Sequence, residues 1–410
     1  MRILWFTNNS AGYNTNGGDY NGGGWITSLQ SEVEQVSGIE LAISFFHQSD
    51  PFKVVQGNVN FYPISIDRSI LNRSKRIFSK KKQEESHINA FKAVIDDFKP
   101  DVIHIFGSER TFGLISQYTN IPTIIHLQGV LIPYLNAFVP PFYSKWDVYR
   151  QNGLNPLKLL SNYKELKGWE SSVEREKRIF EGCHYFMGRT EWDKRIAKLY
   201  SPESNYFYCS EMLRESFFSA EPWQIKIERD KVIIVTTISS PLYKGADMLL
   251  KTANILKNEL KLNFEWLVYG VTDMKFASSK TGLNVKEVSV YPMGTASSDE
   301  LKDALVNCDV FFHPSYIDNS PNSVCEAQLL GVPVVSSNVG GIPSLIEHLK
   351  SGVLVSANDP YMAASHIEEI VRDKVLASKI GKNARVIALQ RHDKETIIND
   401  LVTIYNTIKT

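Results

Sequence analysis

Residues 317–343 read IDNSPNSVCEAQLLGVPVVSSNVGGIP, with two acids, Asp318 and Glu326, eight positions apart around Pro321. Val324, Ala327, Leu329 and Leu330 have helical spacing, and the β-branched run VPVVSS that follows has the pattern of a short buried strand. The apolar run DVFFHPS precedes them, so the order is strand, polar loop, helix, strand, the unit from which parallel sheets are built. Ser320 suits a helix cap, and Pro321 suits the first helical position, where its missing N–H would be unpaired in any case. The amides that follow, at Asn322 and Ser323, then point outward from a helix start, which attracts anions. Asp318 in the loop and Glu326, about two turns into the helix, flank that place if the loop folds over the helix end.

Outward from this stretch the same rhythm recurs. Strand-length apolar runs (RILWFT, LAISFF, NFYPI, DVIHIF, TIIHLQ, HYFMGR, then VIIVTTI, FEWLVYG, VKEVSVY, DVFFHPS, PVVSSN) alternate with amphipathic helical segments such as FKAVIDDF, ADMLLKTANILKNEL and SDELKDALVNC. Runs apolar on successive residues are strands buried on both faces, and the alternation predicts an α/β chain of parallel sheets covered by helices. The rhythm comes in two sets: a Rossmann-like domain over 1–208, a linker of mixed polarity over 209–230, and a second Rossmann-like domain over 231–391. Residues 392–410 form a last helix whose stripe Ile397, Leu401, Ile404 and Ile408 has a place on either domain, packing back on the first being one of the two. Open parallel sheets bind ligands at the carboxyl ends of their strands, so two such domains are expected to face a central cleft.

Composition narrows the classes. At 410 residues, 43% hydrophobic and 22% charged, the chain is long enough for two full cores. Its formal net charge of zero gives no global basic field for nucleic acid. Cys183, Cys209, Cys308 and Cys325 are scattered without metal-ligand or redox spacing, which fits a reducing compartment. The opening MRILWFTN reads as a core strand rather than a signal peptide, and no apolar run reaches the roughly 18 residues of a spanning helix, so a cytoplasmic location is expected.

The second half also concentrates ligand-binding residue types after its strands. In SSPLYKGADMLL, Lys244 precedes Gly245 and a helix, where an ammonium and helix-start amides meet; alone, a solvated loop lysine is the simpler reading. PMGTAS places Gly294 in a turn through which backbone can approach a flat ring, and Gly340 with Gly341 permit another close approach. A lysine, two helix starts, two carboxylates and glycine turns together suit a nucleotide diphosphate carrying a sugar.

In this order the pieces resemble the family 4 glycosyltransferases, retaining enzymes of the GT-B fold. HPSYIDNSPNSVCEAQLLGVPVVSSNVGGIP matches the family's E-x7-E motif and following strand, with Asp318 at the first acid and Glu326 at the second, in a form similar to bacterial polysaccharide-assembly members. Lys244 and Gly245 match its lysine-glycine pair, and the resemblance covers about 231–392. It implies that Glu326 holds ribose hydroxyls, that Asp318 contacts the transferred sugar, and that Lys244 neutralises the phosphates as the glycosyl bond breaks, without a metal or other cofactor. The substrate so implied is a UDP- or GDP-linked sugar. One departure stands out: the family's phosphate-binding arginine position holds Ser239, which keeps a hydrogen bond but loses a charge, with Arg189 and Arg214 as candidate replacements.

In the first half, the Gly- and Asn-rich loop after RILWFT carries Gly23 and Gly24, which match the family's paired glycines at the phosphates and sugar; a surface loop is the alternative. PTIIHLQG aligns with a segment ending in His-Gly, which puts Gln128 at the histidine that contacts the donor sugar, and leaves His126 as a satisfied histidine on the other strand face. Gln128 bonds a hydroxyl but cannot titrate. The aromatic stretch VLIPYLNAFVPPFYSKWDVYRQNGLNP is a candidate wall for the acceptor, a glycan or lipid-linked saccharide. Seven basic residues between Arg68 and Lys82, interleaved with apolar ones, fit peripheral docking on an anionic membrane as well as they fit a solvated loop. Beside the glycosyltransferase reading stand a nucleotide-sugar epimerase and a non-catalytic nucleotide-sugar or glycan binder.

Overall fold

β1 (Arg2–Thr7) shows why the chain builds parallel sheets. Ile3 and Trp5 enter one apolar cluster and Leu4 and Phe6 another, and all four are fully buried. Side chains alternate across a strand, so a run apolar at every position needs cover on both faces. Each fully buried side chain of this size contributes about 1.5–3 kcal/mol relative to leaving it exposed.

The computed structural model describes residues 1–13, 24–48, 52–65, 80–226, 229–239 and 242–409. It holds two sheets. The first also contains β2 (Glu40–His47), β3 (Val54–Gln56), β4 (Val59–Ser65), β5 (Val102–Phe106), β6 (Thr123–His126), β7 (Tyr185–Gly188) and β8 (Asn205–Tyr208), in the order β3-β4-β2-β1-β5-β6-β7-β8. Every pairing in it is parallel except β3 with β4. The second sheet is wholly parallel, in the order β11-β10-β9-β12-β13-β14, from β9 (Val232–Thr237), β10 (Phe264–Tyr269), β11 (Val290–Gly294), β12 (Val310–His313), β13 (Val334–Ser337) and β14 (Val353–Val355). In each sheet the first strand lies between its sequence neighbour and a later strand, the arrangement that opens a ligand site at the carboxyl ends.

The chain divides into two compact units: Met1–Ile132, Ser171–Met212 and His392–Thr410 form the first, and Pro133–Glu170 with Leu213–Arg391 the second. From Pro133 on, the aromatic stretch after β6 thus belongs to the second unit, although it lies in sequence within the first half. The Lys394–Lys409 helix belongs to the first unit, where Ile397, Leu401, Ile404 and Ile408 are all buried. Its Tyr405 hydroxyl accepts from Trp5 Nε1 at 2.9 Å and lies 2.6 Å from His104 Nδ1, so this helix is fastened to β1 and β5 by bonds as well as packing.

Two local readings need correction. VKEVSVY is not a strand throughout: residues 285–289 form a turn, with Ser289 at φ 57°, and the strand starts at Val290. The helix after β12 starts at Asn322 with Pro321 in the capping position at φ −67° and ψ 123°, so the cap falls one residue later than Ser320. The proline ring permits the extended ψ of a cap as readily as a helical one, because it fixes φ alone.

Candidate functional site

The site grows from two loops of the second unit at the carboxyl ends of β9 and β12. The loop after β9 ends in the short turn Leu242–Lys244, and Gly245 then adopts φ 79° to cap the Ala246–Asn254 helix. A Cβ on Gly245 would lie 2.1 Å from the Pro314 carbonyl oxygen, so only glycine lets the two loops touch. That contact aims Lys244 at the loop after β12. Its Nζ donates to Asp318 Oδ2 at 2.7 Å.

Asp318 is held from several sides. Oδ2 also lies 3.0 Å from His313 Nε2 and accepts from Ser315 Oγ at 3.4 Å. Oδ1 accepts from the Tyr134 hydroxyl at 3.3 Å, and that hydroxyl in turn accepts from Asn319 N at 3.1 Å. The carboxylate is 6% exposed. Burial alone would raise its pKa, but the Lys244 ammonium and the His313 ring outweigh burial and hold it well below the usual carboxylate range. It is an anion over the whole physiological range. Gly340, expected to admit a ligand, instead admits the backbone of this loop: at φ 53° its Cβ would meet Asp318 O at 1.9 Å, and Gly341 N donates to that oxygen at 3.0 Å.

Glu326 lies in the Asn322–Leu330 helix and is 3% exposed. Its Oε1 accepts from Arg214 Nε at 2.9 Å and Nη2 at 2.6 Å. Ser320 is buried beside this helix start, 3.9 Å from Cys325 Sγ, and Asn322 and Ser323 are half-buried in its first turn. Gly294 ends β11 at φ 77° with its N–H bonded to Val271 O and its carbonyl to Gly270 N, so its backbone polar groups are already used. Ser239 is exposed and lines a cavity to which Lys244, Asp318 and Glu326 do not contribute.

The remaining expected residues fall in the first unit. Gly24 opens the Gly24–Val33 helix, while Gly23 lies outside the described residues, as does most of the basic run beginning at Arg68. Gln128 Nε2 donates to His126 O at 3.3 Å, and Arg189 Nη2 stands 3.4 Å from Gln128 O. Arg189 forms a buried ion pair with Glu211 inside this unit, and Arg214 pairs with Glu326 in the other, so both candidate replacements for the missing arginine are engaged with acids. His126 is not a hydrogen-bonded histidine. Both its ring nitrogens are buried without a hydrogen-bond partner among the described residues, and the ring packs against Trp25, His104 and Phe106. Burial, with the neighbouring His104 and Arg189, pushes its pKa well down, so it is a neutral packing group.

Sequence reasoning missed His313 and Tyr134. His313 ends the run DVFFHPS, and a polar residue closing an otherwise apolar strand was its signal. Tyr134 was read only within the aromatic stretch, since its neighbour in space is 184 residues away.

The sequence model of the glycosyl transferases group 1 family matches residues 218–386. The N,N'-diacetylbacillosaminyl-diphospho-undecaprenol alpha-1,3-N-acetylgalactosaminyltransferase of Campylobacter jejuni is 30% identical over 180 residues, 44% of this chain and 46% of that protein. The putative colanic acid biosynthesis glycosyltransferase WcaL of Salmonella typhimurium is 34% identical over 122 residues, 28% of this chain and 30% of that protein. The chain thus spans less than half the length of these relatives. Sucrose-phosphate synthase of Thermosynechococcus elongatus superposes with a TM-score of 0.74 at 16% identity, over 99% of this chain and 98% of that one. Anabaena HepE in complex with UDP-glucose does so with a TM-score of 0.61 at 14% identity, over 99% of this chain and all (100%) of that one. At such identities the likeness is one of fold, the two-sheet GT-B architecture. Residues 218–386, the stretch similar to the glycosyl transferases group 1 family, include Lys244, Asp318 and Glu326.

Proposed function

We propose that the protein is a retaining, family 4-type glycosyltransferase that moves a hexose-type sugar from a UDP- or GDP-linked donor to a hydroxyl of a glycan or lipid-linked saccharide, in cell-surface polysaccharide assembly. The observation that carries this is the Lys244–Asp318 pair at the carboxyl ends of β9 and β12, with Glu326 on the helix that follows. Relatives named for capsular, colanic acid and amylovoran biosynthesis support the pathway class.

In this reading the diphosphate takes the place of Asp318 as the partner of Lys244, and the ammonium stabilises the charge that builds on the leaving phosphate. Asp318, kept anionic, accepts hydrogen bonds from hydroxyls of the transferred sugar. Glu326 accepts from the ribose, with Arg214 holding its other bonds in place. Gly245, Ser320, Asn322 and Ser323 complete the donor contacts of the second unit, the helix-start amides facing the phosphates and Gly294 offering only its Cα face, and Gly24 and Gln128 are the candidates from the first. Ser239 supplies a hydroxyl where an arginine would supply charge, so Lys244 is the main cation for the leaving group. No step requires a metal, and transfer is expected to survive chelation. A cytoplasmic enzyme docking peripherally on an anionic membrane fits a lipid-linked acceptor; no helix among the described residues is long and apolar enough to cross a membrane.

The test separates the two acids by calorimetry and turnover. Glu326→Ala should abolish transfer and weaken free-nucleotide binding about tenfold or more, whereas Asp318→Ala should lower turnover and spare free-nucleotide affinity. Equal loss of nucleotide affinity in both variants contradicts the assigned roles. Sugar products formed from donor alone would favour an epimerase.

A further inference from the structure

The second unit contains a cavity of about 940 Å³ that the donor reading touches only at Ser239. Its wall comes from two stretches distant in sequence: the inserted segment 133–170, and the loops after β9 and β10 with the Lys275–Thr281 helix. The segment is held in place by its own contacts. Ser144 and Asp147 form a reciprocal helix cap, Asp147 binds both Arg150 and Lys280, at 2.7 and 3.2 Å, and the Tyr143 and Phe276 rings pack 6.1 Å apart. The volume lies within the range of small-molecule sites, and such sites are generally formed before the ligand arrives.

The lining indicates the ligand's chemistry. Tyr143 and Phe276 offer aromatic surface to the C–H faces of a sugar ring. Asn152 and Asn162 lie on the same wall, Asn152 Nδ2 donating to Asn162 Oδ1 at 3.0 Å, and Thr272 adds a hydroxyl. Asp247, also in the wall, is 2% exposed; its Oδ2 accepts from Tyr316 and Lys251, each at 3.0 Å, while Oδ1 is buried with no hydrogen-bond partner among the described residues. A carboxylate oxygen left without a donor calls for an N–H or O–H from outside. The cations here are matched: Arg150 by Asp147, Lys275 by Asp273 at 3.6 Å and Lys251 by Asp247. Only the exposed Lys158 has no acidic partner among the described residues. Apolar rings, amides and a hydroxyl-seeking carboxylate in a charge-balanced wall suit a neutral polyhydroxyl compound and suit a nucleotide diphosphate poorly.

We propose that this cavity is a saccharide-binding site, taking a neutral oligosaccharide of more than one ring. It rests on the glycosyltransferase reading only for its role, which is to hold a distal part of the acceptor glycan; the binding itself does not. The experiment uses the full chain saturated with UDP, and saturation-transfer NMR with maltotriose, cellotriose and chitotriose. Ser161→Trp and Thr272→Trp fill the cavity from its two walls at exposed positions, where the fold tolerates the change. At least one trisaccharide should bind the wild type, and each variant should weaken it about tenfold or more, with UDP-induced thermal stabilisation retained. Binding of none of the three, binding that both variants leave intact, or loss of UDP stabilisation along with saccharide binding overturns the proposal. Failure of UDP to stabilise the wild type at all would instead count against the donor reading, and the saccharide result would stand by itself.

Discussion

Asp318, in a loop of the second unit, and Glu176, on the part of the Pro156–Gly182 helix that belongs to the first, are both buried carboxyls, yet their pKa values are pushed in opposite directions. Asp318 has the Lys244 ammonium at 2.7 Å and the His313 ring at 3.0 Å, and it stays ionised. Glu176 has a hydroxyl, Ser108 Oγ at 2.5 Å, and a backbone amide, Ile132 N at 2.9 Å, with no ion pair among the described residues. Burial therefore dominates and pushes its pKa up to about 7, with the nearby Glu109 adding to the rise. Position on the fold does not decide the charge. A cation within reach does, because desolvation always favours the neutral acid and only an opposite charge or several donors reverse it.

The largest effect is expected from making the first acid resemble the second. Lys244→Met leaves Asp318 buried with its cation gone, which should cost about 3–5 kcal/mol of stability by urea denaturation. Under the proposed role, donor turnover falls about 10²- to 10³-fold. A variant as stable as the wild type would show that Asp318 does not depend on Lys244. The converse change removes the titration of the second acid. With a folded pKa of about 7 against an ordinary 4.5, Glu176 favours the native state fully below pH 4.5, and this contribution is lost as pH rises through 7. At about 1.4 kcal/mol per pH unit, the wild type should lose about 2–3 kcal/mol more than Glu176→Gln between pH 5 and 8. Parallel pH profiles for the two proteins would mean that Glu176 is already ionised in the fold. The smallest effect belongs to Tyr134→Phe, which removes one long bond to Asp318 Oδ1 and one of the two acceptors of Asn319 N, the other being Asp318 Oδ1 itself at 3.2 Å. A loss of about 0.5–1.5 kcal/mol is expected, measurable as a shift in the denaturation midpoint, and no change would assign the Asp318 geometry wholly to Lys244 and His313.

Much of this was legible beforehand, and the parts that were not share a cause. Strands such as RILWFT and VIIVTTI announced themselves because a strand covered on both faces is apolar at every position. The pair Lys244 and Gly245 was visible because a glycine before an apolar helical run marks a sharp entry. The turn at 285–289 was misread because Val285, Val288 and Val290 carry strand propensity whether or not a partner strand is in register. Gly340 was read as a door for a ligand, since nothing local says that the approaching backbone is that of Asp318. The roles of Tyr134 and Glu176 were invisible, their significance resting on residues far away in the chain.

Hydrophobic periodicity by itself determined two α/β units, their strands and the loops in which ligand-binding residues sit, because a side chain's alternation between faces is a local property of the backbone. Only the tertiary structure decided that residues 133–170 wall a cavity in the second unit, that the last helix covers the first sheet, and that the pKa of one buried acid is pushed down while that of another is pushed up. Those outcomes depend on which groups long-range packing brings within a few ångströms, and the field at a buried atom is set by its neighbours in space.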